Sequence, residues 1–268
     1  MNSPPSDVRL KLLTFAPMVD SETSRLLLAY YGVPYREHDN LIPLVMLKAL
    51  VHGGTGYVPL LYGDGLKLTS PRPIAEHFDS KLPAERRVIP AEASLRGQVE
   101  ADWNTFNGEM GADTAAFAYH HLLPERQLMV PIFAAPVPPI QAKLTPVLYP
   151  LMKVLFRALL KLGPERAAAA HARIRATFEK TDKRIADGRP YLCGDRITLG
   201  DFGLAAASAP LLLPRGYAPR CRRSSKCRRC CAPPWRSSGS VRPPRSCSGS
   251  MPKASPPPVP ASCSKAGG

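Results

Sequence analysis

The stretch Tyr57-Val58-Pro59-Leu60-Leu61-Tyr62, followed by Gly63-Asp64-Gly65 and Leu66-Lys67-Leu68-Thr69-Ser70-Pro71, constrains the fold more than any other part of this sequence. Six apolar residues bounded by glycine read as a short buried strand. Asp64-Gly65 is a hairpin turn signal, and Leu66 to Leu68 then return as an antiparallel strand. Pro59 lacks the N–H that a strand ladder needs, which argues for an edge, a first position or a bulge. A cis peptide is the other solution, and it turns the Val58 backbone outward. Only about 5–6% of X–Pro bonds in folded proteins are cis, so the pattern alone predicts trans.

Around this hairpin the chain alternates strand and helix. Residues 8–12 alternate apolar and polar and read as a first strand. Residues 16–20 form a loop, and Ser21 stands before a helix over 22–31 that Gly32 terminates. Residues 33–38 give a second strand and so a β-α-β unit. A short helix over 42–50, the loop His52-Gly53-Gly54, the hairpin and a helix over 71–79 complete a first domain, residues 8–80. Residues 81–91 carry Pro83, Pro90 and charges with little apolar matter, and read as an interdomain linker. The pattern from 92 to 213 is helical, with candidates at 92–110, 114–123, 144–162, 164–187 and 199–209. Pro131, Pro136, Pro138 and Pro139 mark an irregular stretch. Thr198 is placed to cap the last helix, with Asp201 three residues on to reach back to it. Trp103 and Phe106 share a helical face and read as core.

At 268 residues the chain has room for one large or two ordinary domains, and its net charge of +15 suggests nucleic acid or a membrane surface. The distribution of charge removes most of that suggestion. From Arg215 onward there are nine Arg, three Lys and no acid, so +12 lies in the tail and +3 in the first 214 residues. Six of the seven cysteines are also in the tail. The body, with Cys193 alone, needs no disulfide and fits a reducing compartment, and Cys193 reads as a small buried hydrophobe. The start of the chain has no signal-peptide pattern. The apolar run 144–162 is interrupted by Pro146, Pro150, Lys153, Arg157 and Lys161 and reads as an amphipathic helix rather than a membrane span. The expectation is therefore a cytoplasmic protein without a membrane or specific nucleic-acid partner. Residues 214–268 are rich in Pro, Arg, Ser and Cys and resemble a coding region translated in a shifted frame. Physically they read as disordered and dispensable. Cys227-x-x-Cys230 has no further spaced ligands to complete a zinc site, and no metal is expected.

The hairpin, Val58-Pro59 and the helix opening after Ser70 resemble the glutathione-binding half of the glutathione S-transferase family. The segment Gly194-Asp195, followed by Thr198-x-x-Asp201, is similar to that family's helical half. The resemblance covers roughly residues 8–213. It implies a thioredoxin-like α/β domain followed by an all-α domain that here lacks its last helices. It also implies a homodimer, a cis Val58-Pro59, and transfer of glutathione to a small hydrophobic electrophile. Within it, the Val58 backbone pairs with the cysteinyl part of glutathione. The chemistry needs a thiolate, and a free thiol with a pKa of about 8.5 is lowered by a hydrogen-bond donor or a helix N-terminus. Ser21, spaced as Ser-x-x-x-Arg from Arg25, resembles the serine of serine-type members and would donate to the sulfur. The bland reading of Ser21 is an N-cap, and Ser24 and Thr14 are rival hydroxyls. Before the third helix the family carries an acid and then a serine. Here Ser70 stands in the acidic slot and Pro71, without N–H or hydroxyl, in the serine slot. That departure supports a second expectation, a catalytically silent binding protein of the same fold. His120-His121 read as surface or core residues that point apart.

Overall fold

A computed structural model describes residues 9–214. The predicted tail, including Cys227 and Cys230, lies outside the described residues. Strands β1 (Lys11–Thr14), β2 (Arg36–Asp39), β3 (Leu60–Gly63) and β4 (Leu66–Thr69) form one sheet in the order β2-β1-β3-β4. β1 and β2 run parallel, and the other pairings are antiparallel. Helix α1 (Val19–Tyr31) makes the crossover between β1 and β2, α2 (Leu44–Val51) follows β2, and α3 (Pro71–Asp79) follows the hairpin. The hairpin turns through Asp64 and Gly65, both at positive φ, as the Asp-Gly signal requires. Gly32 ends α1 in the left-handed conformation, with its N–H on the last turn's carbonyls. β1 begins three residues later than the alternation suggested. Leu12 and Leu13 are both buried because the sheet is covered on both faces.

The second domain is helical: α4 (Ala93–Trp103), α5 (Gly111–Leu122), α6 (Arg126–Ala134), α7 (Pro139–Leu159), α8 (Pro164–Arg184) and α9 (Leu199–Leu212). Asn104–Met110 joins α4 to α5 as a π-helical stretch. Trp103 and Phe106 are buried, as expected, but in different apolar clusters, because the π turn rotates one away from the other. Of the proline-marked stretch only residues 135–138, with Pro136 and Pro138, are irregular. α6 passes through Pro131, anchored by buried Met129 and Phe133, and α7 begins at Pro139 and carries Pro146 and Pro150 inside. Pro150 has no N–H for the carbonyl of Pro146 four residues back. Arg126 of α6 supplies the missing donor, Nη2 to Pro146 O at 2.9 Å.

The segment between the domains is not a loose tether. Val88 and Ile89 are buried among Leu27, Ala75, Trp103 and Phe202. Their N–H groups donate to Asp79 at 3.0 and 2.7 Å, and Leu199 N donates to Val88 O at 2.9 Å. At the start of α9 the expected capping box is formed: Asp201 Oδ2 accepts from Thr198 N at 2.8 Å, and its Oδ1 also accepts from Leu192 N.

Candidate functional site

Strand register places the candidate residues at one edge of the sheet. Leu13, near the end of β1, pairs with Leu60 at the start of β3, and Leu60 pairs with Thr69 at the end of β4. The helices that follow β1 and β4, α1 and α3, therefore open at that same edge. Val58-Pro59 enters β3 there, and its peptide is cis. A second cis peptide, Ile42-Pro43, which the sequence did not signal, precedes α2. Ser70 N donates to Pro59 O at 2.9 Å, so two of the predicted glutathione-contact segments touch through their backbones. Ser70 has φ 74° and ψ 161°, an uncommon conformation for a residue with a Cβ, held where the chain passes from β4 into α3. Pro71 follows at the first helical position, so the first N–H of α3 is missing.

Ser21 is not an N-cap. α1 starts two residues earlier, at Val19, with Met18 as its cap residue and no side chain closing the helix start. The Val19-Asp20 pair extends the helix backward. Ser21 is thus the third helical residue, fully buried, and its Oγ has no hydrogen-bond partner among the described residues. The rival hydroxyls differ. Ser24 Oγ is also buried without a partner. Thr14 Oγ1 is occupied, lying against Asp39 Oδ1 and 3.0 Å from Glu37 Oε1.

Arg25, one turn beyond Ser21, does not face a ligand site. Its guanidinium is buried between Glu22 (Nη1 to Oε2, 2.9 Å), Glu37 (Nε to Oε1, 2.7 Å) and Asp39, and it also donates to Ala16 O at 3.2 Å. Burial works against its charge, but Glu37, Glu22 and Asp39 outweigh it and raise the Arg25 pKa. This cluster fixes α1 to β2 and to the loop leading out of β1.

Two residues at the helix start were not singled out from the sequence. Asp20, in the first turn of α1, accepts from Asn107 Nδ2 at 2.9 Å, and Thr23 Oγ1 donates to Asn107 Oδ1 at 2.9 Å. Asn107 lies in the π-helical stretch, whose wider turn brings it across from the helical domain to the start of α1. Burial pushes the Asp20 carboxyl above its usual range, and the Asn107 hydrogen bond moderates the shift. The local signal was slight: an acid in a first helical turn, and an Asn-Gly pair inside a helical pattern.

Other singled-out residues fall elsewhere. Cys193 is only half-buried, with Sγ 3.5 Å from Arg184 Nη2, and its thiol is pushed up first by burial and then by Asp102. His120 and His121 do not point apart: their ring centroids are 5.0 Å apart, edge to face. His120 lines a cavity of about 290 Å³ with Tyr119, Arg157 and Gly163. A second cavity, about 460 Å³, lies at the turn end of the β3–β4 hairpin beside His52 and Tyr62. Among the described residues, no group of three or more His, Cys, Asp or Glu is placed to hold a metal ion.

A four-stranded sheet with this order and crossover, followed by a helical domain, can be compared with solved structures. The chain is similar to the β-etherase LigF of Sphingobium sp. strain SYK-6, at 16% identity over 78% of this chain and 86% of that one, with a TM-score of 0.55. It is also similar to glutathione transferase F2 of Populus trichocarpa, at 12% identity over 76% and 82% of the two chains, with a TM-score of 0.54. This is the two-domain fold of the glutathione transferases. A glutathione S-transferase of Methylobacillus flagellatus, solved with glutathione bound, shares the fold at 15% identity over 80% of this chain and 91% of that one, with a TM-score of 0.51. Residues 164–213, which span α8 to α9, match the family model for the glutathione S-transferase C-terminal domain. No curated protein sequence matches the chain.

Proposed function

We propose that this protein binds glutathione at the sheet edge where α1, α3 and Val58-Pro59 meet, and transfers it to a small hydrophobic electrophile. The observation that carries the reading is the convergence of two helix N-termini on one edge, neither of them closed by a side-chain cap. The first N–H groups of α1 have no intrahelical acceptors, and they favour an anion together with the helix field. A thiolate there would have its pKa lowered from about 8.5. The Val58 backbone would pair with the cysteinyl unit. Ser70, joined to Pro59, would meet the γ-glutamyl end, and Ser21 would be the hydroxyl donor to sulfur. Asp20 matters electrostatically. Burial disfavours the ionised form of its carboxyl, which lessens its opposition to a neighbouring thiolate. The fold kinship adds a homodimer and a cytoplasmic setting, which light scattering and cell fractionation test.

The silent-binding reading also has observations on its side. The Ser21 hydroxyl is buried, and Pro71 gives a carboxylate no N–H. Calorimetric titration with glutathione, followed by conjugation assays with an activated aryl halide, separates the two. Binding with turnover supports the transferase. Binding without turnover, or no binding at millimolar glutathione, removes the transferase and supports the silent protein.

A further inference from the structure

The outward face of α7 is apolar along its length. Ile140, Leu144, Val147, Leu151 and Val154 recur at intervals of four and three, and are 75, 45, 75, 60 and 66% exposed. At about 100° per residue they form a stripe about 80° wide. It lies opposite the buried face of α7, where Tyr149, Met152 and Phe156 enter the core. α2 repeats the pattern next to it, with Leu47 and Val51 60 and 75% exposed. The two helix starts are joined, since Gln141 accepts from Leu41 N at 2.9 Å and donates to Asn40 at 2.7 Å.

The charges beside these faces have one sign. Residues 126–164 contain five Lys or Arg and no acid, and residues 40–63 contain Lys48 and no acid. Lys143 and Arg157 fall on one flank of the stripe by their helical spacing, Lys161 follows the end of the helix, and all three are exposed. Arg126, held on the Pro146 carbonyl, joins α6 to α7. An exposed apolar stripe edged only by cations matches a surface that is apolar inside and anionic at its rim. A second copy of the chain meets this face less well, because two-fold packing would set the α7 cations of one copy against those of the other.

We propose that α7, with α2 beside it, is a docking face for an anionic lipid surface. α7 would lie in the plane of the headgroups, with its apolar stripe in the acyl boundary and its lysines reaching the phosphates. No helix among the described residues is long and apolar enough to cross a membrane, so the contact is peripheral. It revises the expectation of no membrane partner. It does not depend on glutathione binding.

The test is co-sedimentation of the full chain with vesicles of phosphatidylcholine alone and of phosphatidylcholine with phosphatidylserine. Leu151→Gln with Val154→Gln removes the stripe at two exposed positions that the core does not use. The expected result is binding to the anionic vesicles that weakens with salt and falls about tenfold or more in the double variant, with unchanged melting temperature. The basic tail supplies an internal control. If the double variant binds as well as the parent chain, charge alone holds the vesicles and the proposal fails. No sedimentation with either vesicle also overturns it. So does a concentration-dependent dimer, seen by light scattering and lost in the double variant, which would assign the stripe to self-association.

Discussion

At Ser21, the hydroxyl sits in the first turn of α1, buried and without a hydrogen-bond partner among the described residues. A cap serine replaced by alanine costs about 1 kcal/mol, but this one is not a cap. Removing a buried hydroxyl that bonds to nothing removes a desolvation cost of about 1–3 kcal/mol. Ser21→Ala should therefore raise the melting temperature of the ligand-free protein. If Ser21 also donates to the thiolate, the same variant should conjugate glutathione about tenfold or more slowly at neutral pH. A drop in stability would mean that the hydroxyl has a partner after all, and an unchanged rate would remove it from the chemistry. Asp20 gives the pH dependence. Its folded-state pKa is raised by burial, so its contribution to stability is full below the ordinary carboxylate range and is lost as pH rises through the folded value. Asp20→Asn keeps an oxygen for Asn107 Nδ2 and removes the buried charge. The variant should match the parent at about pH 4 and exceed it at about pH 7 in urea unfolding. A deficit at neutral pH would show that the field at the helix N-terminus outweighs burial for this acid. Gly32, Asp64-Gly65 and Thr198 with Asp201 were legible in the sequence because each acts through its own backbone. The partner of Asp20 was not, since Asn107 is distant in sequence and reaches it only through the π turn.

The helices show where local rules gave way to packing. Pro131 read as part of an irregular stretch yet lies inside α6, and the helix expected over 144–162 does run through Pro146 and Pro150 but starts earlier, at Pro139. α6 and α7 keep their geometry because Met129, Phe133, Tyr149, Met152 and Phe156 share one core, and burial of large side chains outweighs a missing backbone bond. The Arg126 bond to Pro146 O closes part of the gap that Pro150 opens. Arg126→Ala should leave that carbonyl to water and destabilise the helical domain modestly, by about 1 kcal/mol. Arg126→Lys should recover part of the loss. Denaturant midpoints of the two variants check this, and equal stability of Arg126→Ala and the parent would show that water satisfies the carbonyl as well. The same core explains why the α7 stripe was read from sequence only as an amphipathic face. Periodicity finds a helix with two apolar sides, but it does not say which side the core takes.

The two domains are joined by polar pins set in an apolar seam, and Asp79 is the chief of these. It ends α3, and its two carboxylate oxygens accept from Val88 N, Ile89 N and the Tyr31 hydroxyl. Burial, and then the Asp79 charge, raise the Tyr31 pKa, so the phenol remains a donor across the working range of pH. The pinned pair Val88-Ile89 enters the seam with Leu27 of α1, Trp103 of α4 and Phe202 of α9, so one side chain organises residues from both domains. The order of domains was readable from strand and helix periodicity, whereas this seam was not. Val88 and Ile89 are two apolar residues in a charged stretch, and nothing local marks them as buried. Asp79→Ala would strand two buried backbone N–H groups at about 1–3 kcal/mol each, whereas Asp79→Asn keeps one acceptor oxygen and should cost less. Because the seam lies behind α1 and α3, the loss should also loosen the edge at which their N-termini meet. The expected outcome for Asp79→Ala is a lower melting temperature, faster hydrogen exchange at Val88 and Ile89, and weaker glutathione binding through a less ordered α1 start. Asp79→Asn should fall between it and the parent in all three. If Asp79→Ala melts earlier but binds glutathione as tightly as the parent, the seam holds the domains together without shaping the site, and the sheet edge is ordered by the Arg25 cluster alone.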